Sequence, residues 1–220
     1  MAVDIIDVLL DLQCGLLRAI VPSLRAVTVK INENNETINF CFFYDEEITD
    51  ELFDLASIST LEVGMPEGYL QNEQIEYLDA SNPIPIHGEL AYLRYEPNFH
   101  PVIKKLDRGH LVHDRISGEA VLLLDMQEAL LGKVPPSLRE VDVYPDMDKK
   151  ILQLAFYFDG NITQFDSDLA TSVVKGGNWS FPGFEISHEI IRLDYPNTVP
   201  WDGKRRVAYA RCEEFLESGK

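Results

Sequence analysis

His110 and His113 stand three residues apart, the spacing that places two imidazoles on one face of a helix, with His100, Asp107 and Asp114 close by in sequence. Such a group could hold a metal ion. It falls in a connecting stretch and has no cysteine partner, so no metal site is expected. Nucleophilic chemistry is no better supported. Ser23 and Ser137 lack the G-x-S-x-G setting of a nucleophile elbow. Cys14 and Cys41 lie in apolar patterns with no histidine near them in sequence, which reads as core packing rather than thiol activation. Gly176-Gly177 is followed by neither Lys nor Ser/Thr and makes no phosphate loop. Trp179, Trp201 and Phe184 sit beside turns, where rim packing of a sheet is the expected role. No catalytic residue and no cofactor is expected, and the chain reads as a non-enzyme.

The carboxylates are the unusual feature. The 220 residues carry 37 Asp+Glu against 19 Lys+Arg, a formal net charge of −18. From Ile31 to Leu93 there are 14 acids and no Lys or Arg. Such a surface repels nucleic acid and anionic membranes and attracts basic proteins. Within it, Asp45, Glu46, Glu47, Asp50, Glu51 and Asp54 cluster where an apolar run ends and a helical pattern begins. They are the candidate partner-binding residues, although acids there also suit a solvated helix start. No apolar run is long enough to cross a bilayer. The N-terminus MAVDIIDVLL lacks the basic stretch of a signal peptide, so the sequons at Asn161 and Asn178 read as chance. Three cysteines without a spacing pattern fit free thiols in a reducing compartment, and a cytoplasmic location is expected.

The elements that position these residues occur twice. Residues 9–56 and 123–170 superpose with a constant shift of 114 and no gap, and 19 of the 48 pairs are identical. The identities include Asp11/Asp125, Gln13/Gln127, Pro22/Pro136, Ser23/Ser137, Arg25/Arg139, Asp45/Asp159 and Thr49/Thr163; AYLR (91–94) recurs as AYAR (208–211). This is a tandem duplication of one folding module. In the first copy, Ile6, Leu9, Leu10, Gln13, Leu16, Leu17 and Ile20 follow a helical period, Asp4 or Asp7 can cap the start, and Pro22 ends it. Val27, Val29 and Ile31 alternate as a half-buried strand, and Ile38–Tyr44, apolar on both faces, reads as a central strand paired to it in a hairpin. Thr49 caps a second helix, and two further strands follow near 73–79 and 89–95. Arg25/Arg139 and Asp45/Asp159 are assigned structural roles, binding carbonyls or capping a helix.

The expected fold is therefore α+β: two tandem α-β-β-α-β-β modules, each a four-stranded antiparallel sheet with two helices on one face. The expected organisation is a first repeat at 1–96, a linker at 97–117 and a second repeat at 118–220, with 119–220 able to fold alone.

The second copy, from PPSLREVDV through FYFDGNIT to EIIRLDYPNTVPWDG and AYARCEE, resembles small single-unit immunity proteins of bacterial toxin systems. The first copy resembles them less, with Asp45-Glu46 in place of Asp159-Gly160 and Tyr77 in place of Arg192. The resemblance implies a cytosolic protein that binds and occludes a cognate toxin. An acidic surface suits a basic partner such as a nuclease, whose cleft must hold polyphosphate. The alternative is an acidic chaperone or adaptor for a secreted protein, which an exposed hydrophobic groove would favour.

Overall fold

The computed structural model describes residues 3–99, 101, 118–200 and 203–213. The first repeat runs α1 (Ile5–Leu16), β1 (Leu24–Asn32), β2 (Thr37–Tyr44), α2 (Asp50–Leu61), β3 (Leu70–Tyr77), β4 (Glu89–Leu93). The second runs α3 (Gly118–Leu130), β5 (Leu138–Asp146), β6 (Ile151–Phe158), α4 (Gln164–Gly176), β7 (Glu185–Arg192), β8 (Arg206–Ala210). The proposed linker lies almost wholly outside the described residues, as do His100, His110, His113, Asp107 and Asp114.

Local chemistry sets the helix starts as expected, but α1 ends at Leu16, short of Pro22, because Arg18 turns left-handed and Ile20 pairs with Arg211 of the other repeat. Asp4 Oδ1 accepts from Ile6 N at 3.0 Å and Thr49 Oγ1 from Leu52 N at 3.3 Å. Thr163 and Asp166 form a reciprocal capping box. β1 and β2 form the hairpin, in register from Leu24↔Tyr44 to Asn32↔Thr37. Both sit in the middle of the sheet, whose order is β3-β2-β1-β4, and β7-β6-β5-β8 repeats it.

One expectation is corrected. The sheets are mixed, because β2 pairs with β3 in parallel, Thr37↔Leu70 through Tyr44↔Tyr77, and β6 pairs with β7 likewise. The helix between each pair is the reason. A chain that leaves one end of a strand, crosses the sheet as a helix and returns to its starting end must lay the next strand down parallel.

Val27, Val29, Ile38, Phe40 and Phe42 form the sheet face that packs beneath α1 and α2. The opposite face of this sheet carries a second small cluster of Ala26, Phe43, Ile84 and Leu93 with Leu131 of the other repeat. Arg25, fully buried, locks the frame. Its guanidinium grips Glu96 with two bonds of 2.6 and 2.5 Å and donates to the carbonyls of Leu78, Asp79 and Asn82. Arg139 does the same for Leu193, Asn197 and Glu213. The structural role expected of this pair is what they perform.

The two repeats are joined by a seam with approximate two-fold symmetry. Arg18 N donates to Ala210 O at 2.9 Å and Cys212 N to Ile20 O at 2.8 Å. In the two-fold-related positions, Gly132 N donates to Leu93 O at 2.8 Å and Tyr95 N to Val134 O at 3.0 Å. The segment after each first helix thus adds to the open edge of the other repeat's last strand, giving parallel bridges Ile20↔Arg211 and Arg94↔Val134. Gln13, in the helical face that also carries Leu9 and Leu16, donates across the seam to Leu123 O and Ala208 O, and Gln127 donates to Ala91 O. One buried apolar cluster runs through α1, α3 and both sheets.

The shared cluster is set against independent folding of 119–220, since cutting the seam would uncover Leu130, Val134 and Tyr209. The full chain should melt in one transition with matching calorimetric and van't Hoff enthalpies; two resolved transitions would show separable repeats. Arg25→Ala should destabilise by about 3–5 kcal/mol, because it breaks a buried pair, leaves Glu96 only its longer contact to Arg94 at 3.2 Å and strips the carbonyls of Leu78, Asp79 and Asn82 of their donor. Denaturant titration measures it, and Arg25→Lys should restore only part, lacking the planar two-pronged fit.

Candidate functional site

Residues identical in the two repeats are mostly engaged inside the fold. Asp11 accepts from Gly64 N at 2.9 Å, and Asp125 from Ser180 N at 2.7 Å, each fastening the first helix to the segment after the second. Arg94 donates to Pro22 O and Arg211 to Pro136 O, both at 2.6 Å. Asp45 pairs with Arg94 at 2.5 Å, and Asp159 lies 3.6 Å from Arg211. Asp45 is therefore half-buried and held, not a free surface acid and not a helix cap. Its partner lies on the far side of the module in sequence, which local reading cannot reach. Arg94 is held above its ordinary pKa: burial pulls it down, but the bond and charge of Asp45 and the charge of Glu96 outweigh this.

The remaining candidate acids divide. Glu46 is exposed, but its Oε1 accepts from Ser23 Oγ at 2.5 Å, tying it to the chain before β1. Glu47, Asp50, Glu51 and Asp54 are exposed and surround the first turns of α2. The Glu51 carboxyl is lowered by the Thr49 hydroxyl and by its own backbone N–H. The structure thus gathers four of the six residues on one exposed surface and assigns the other two structural bonds.

The same helix carries a feature that acidity alone did not reveal. On its inner side, Leu52, Ala56, Ser59 and Thr60 are buried. Ser57 Oγ donates to Glu73 of β3 at 2.7 Å, and Thr60 Oγ1 donates to the same carboxylate. Burial works to raise Glu73, but hydrogen bonds from Thr60, Ser57 and Gln71 prevail and its carboxyl lies below the usual range. On the outer side, Phe53, Ile58 and Leu61 are 52%, 55% and 75% exposed. Their counterparts on α4, at the same shift of 114, are Ser167, Ser172 and Lys175. Likewise Glu46, Glu47, Asp50 and Glu51 correspond to Gly160, Asn161, Gln164 and Phe165, while Asp54 corresponds to Asp168. A side-by-side reading of the two copies at outward helix positions would have found this.

The second repeat diverges elsewhere, on the sheet face away from its helices. Arg205 beside β8 donates to Glu140 and, at 2.6 Å, to Asp142, both on β5. The corresponding first-repeat residues are Gly88, Ala26 and Thr28. Arg205 and Glu140, with Arg18, Thr198 and Arg211, line a cleft. Burial and the neighbouring Asp142 push the Glu140 carboxyl up to about 7 against the pull of Arg205.

The thiols show no activation. Cys14 is exposed rather than in the core as expected, because it falls on the outer side of α1; burial of part of its surface, with Asp11 and Glu62, raises its pKa. Burial and Glu76 push Cys41 up to about 12. Trp179 is half-buried, its Nε1 donating to Val174 O at 2.8 Å, and Phe184 packs edge-on to Phe181, both as sheet-rim residues. Trp201 lies outside the described residues. Among the described residues, no group of three His, Cys, Asp or Glu is placed to hold a metal ion. No helix among them is long and apolar enough to cross a membrane.

The model of the MafI2 immunity protein family matches residues 5–96 and 119–213, one segment in each repeat. The chain belongs to this family, which agrees with the resemblance read from the sequence and with the duplication.

Glu140 gives a pH signature. Its folded-state pKa of about 7 lies above its ordinary value of 4.5. The folded protein therefore holds more protons than the unfolded chain between these values, and this residue's contribution to stability falls as pH rises through that window. Glu140→Gln should flatten that part of the stability–pH curve, measured as denaturation midpoint from pH about 5 to about 8. An unchanged slope would show that Glu140 ionises normally.

Proposed function

We propose that this protein is a cytoplasmic bacterial immunity protein that neutralises a cognate toxin by binding it and covering its active cleft, with no catalysis of its own. Membership of the immunity family in both halves carries this reading. The acidic surface at the start of α2 supports a basic toxin, a nuclease being the class whose cleft most needs positive charge. Carboxylates there steer the encounter and compete with the polyphosphate substrate for the same cationic groups. Glu47, Asp50, Glu51 and Asp54 are the steering residues; Asp45 and Glu46 hold the loop that presents them.

Two measurements test this. A toxin gene is expected beside this one; cells expressing that toxin should survive when the chain is co-expressed, and the purified proteins should bind directly, whereas the absence of both protection and binding would defeat the proposal. Reversing Glu47, Asp50, Glu51 and Asp54 to Lys should slow association by about tenfold or more at low salt and flatten the salt dependence of the on-rate. The fold should survive, since all four are exposed. An unchanged on-rate in a folded variant would reduce these acids to a solvated helix start.

A further inference from the structure

We propose that the outward side of α2 is the energetic centre of the toxin interface: Phe53, Ile58 and Leu61 enter an apolar pocket on the toxin, and the acids around them meet Lys and Arg on its rim. This rests on the immunity reading and adds which side chains hold the complex together. The apolar residues lie on adjoining helical rows with Asp50 and Asp54, three and four residues apart, so they form one surface. Glu51 and Glu62 flank it. On the helix Asp50 and Asp54 fall between Phe53 and Ile58, so the surface interleaves the two contributions of a binding hot spot: apolar groups that lose water on contact and charges that supply orientation.

The second repeat serves as an internal control. α4 has the same threonine cap, starts at the equivalent position and buries Leu169, Ala170 and Val173 on its inner side. Its outer positions are Ser167, Ser172 and Lys175. The fold therefore does not require apolar residues there, and in α2 they leave half or more of their surface in water. The seam does not cover them either, since it is made by α1, α3, the segments following them, and the ends of β4 and β8.

Charge decides what kind of partner covers this face. A second copy of this chain docked α2 to α2 would oppose Asp50, Glu51, Asp54 and Glu62 to the same four residues, and like charges at a desolvating contact are costly. A partner with a basic rim removes the conflict. The acids then act mainly on association, which is long-ranged, and the apolar residues mainly on dissociation, which requires their contacts to break.

The test replaces the apolar surface with the second repeat's chemistry: Phe53→Ser, Ile58→Ser and Leu61→Gln, the last a neutral stand-in for Lys175 so that net charge is unchanged. The probe is the toxin encoded beside this gene, with binding kinetics read for the full chain. The triple variant should lose about 100-fold or more in affinity, almost all through faster dissociation, with an on-rate close to that of the unaltered chain. Its thermal transition should stay in place or rise. Met147→Ser removes another exposed apolar side chain, at 53% exposure, and should leave affinity unchanged. An unaltered dissociation rate in the folded triple variant, beside tight binding by the unaltered chain, would overturn the inference and leave the immunity function standing. Absence of binding and protection by the unaltered chain would defeat the function itself, and this inference with it. A concentration-dependent dimer in sedimentation velocity, abolished by the triple variant, would assign the face to a second copy and likewise overturn it.

Discussion

Each repeat leaves its last strand with an unpaired edge and its first helix with an uncovered apolar side, and the other repeat completes both. The backbone bonds between 18–20 and 210–212, and between 132–134 and 93–95, satisfy polar groups that would otherwise be stranded at a buried boundary. Gln13 and Gln127 complete this by donating to carbonyls across the seam. Because the apolar cluster runs through the same boundary, the seam is a continuation of the core, not a contact between finished domains. The buried arginines follow from it. Arg94 and Arg211 stand at the bridges themselves, and each turns its guanidinium onto the proline carbonyl and the aspartate that begin and end the hairpin of its own repeat.

Much of this frame was legible because it is local. The helical period of Ile6–Leu16, the alternation of β1, the two-faced apolarity of β2 and the threonine caps each follow from residues within a few positions of one another, whereas the extended run at Ile20 is set by Arg211 of the other repeat. The roles of Arg25 and Arg139 were also readable, since a charged residue kept in both copies among core positions must be satisfied internally. What failed was non-local. Strand direction is set by where the chain returns after α2, and the alternation of β3 is the same for either direction. Asp45 looks like one of six surface acids until Arg94 arrives beside it. Gln13 reads as an ordinary helix residue until carbonyls of the second repeat face it. Glu140 and Asp142 look like the outer positions of a half-exposed strand until Arg205 closes over them.

The two copies thus separate two kinds of constraint within one sequence. Positions that serve the frame keep their chemistry: aspartate on the first helix, arginine on the first strand, proline and serine before it. Positions free of the frame have moved apart, and in different places. The first copy has concentrated acid and exposed apolar groups on its second helix. The second has placed ionisable groups behind its sheet, where the first has Ala26, Phe43 and Ile84 in an apolar cluster. A single fold therefore presents two unlike outer surfaces.

Covalent joining of the two halves changes what the seam must withstand. Two separate chains meeting through such a boundary would form a complex whose population depends on concentration, and at a few copies per cell an assembly of modest affinity would fall apart. With both halves on one chain, each meets the other at a fixed effective concentration set by the connecting segment, whatever the dilution. The scaffold that presents α2 is then as complete at the first molecule synthesised as at the thousandth.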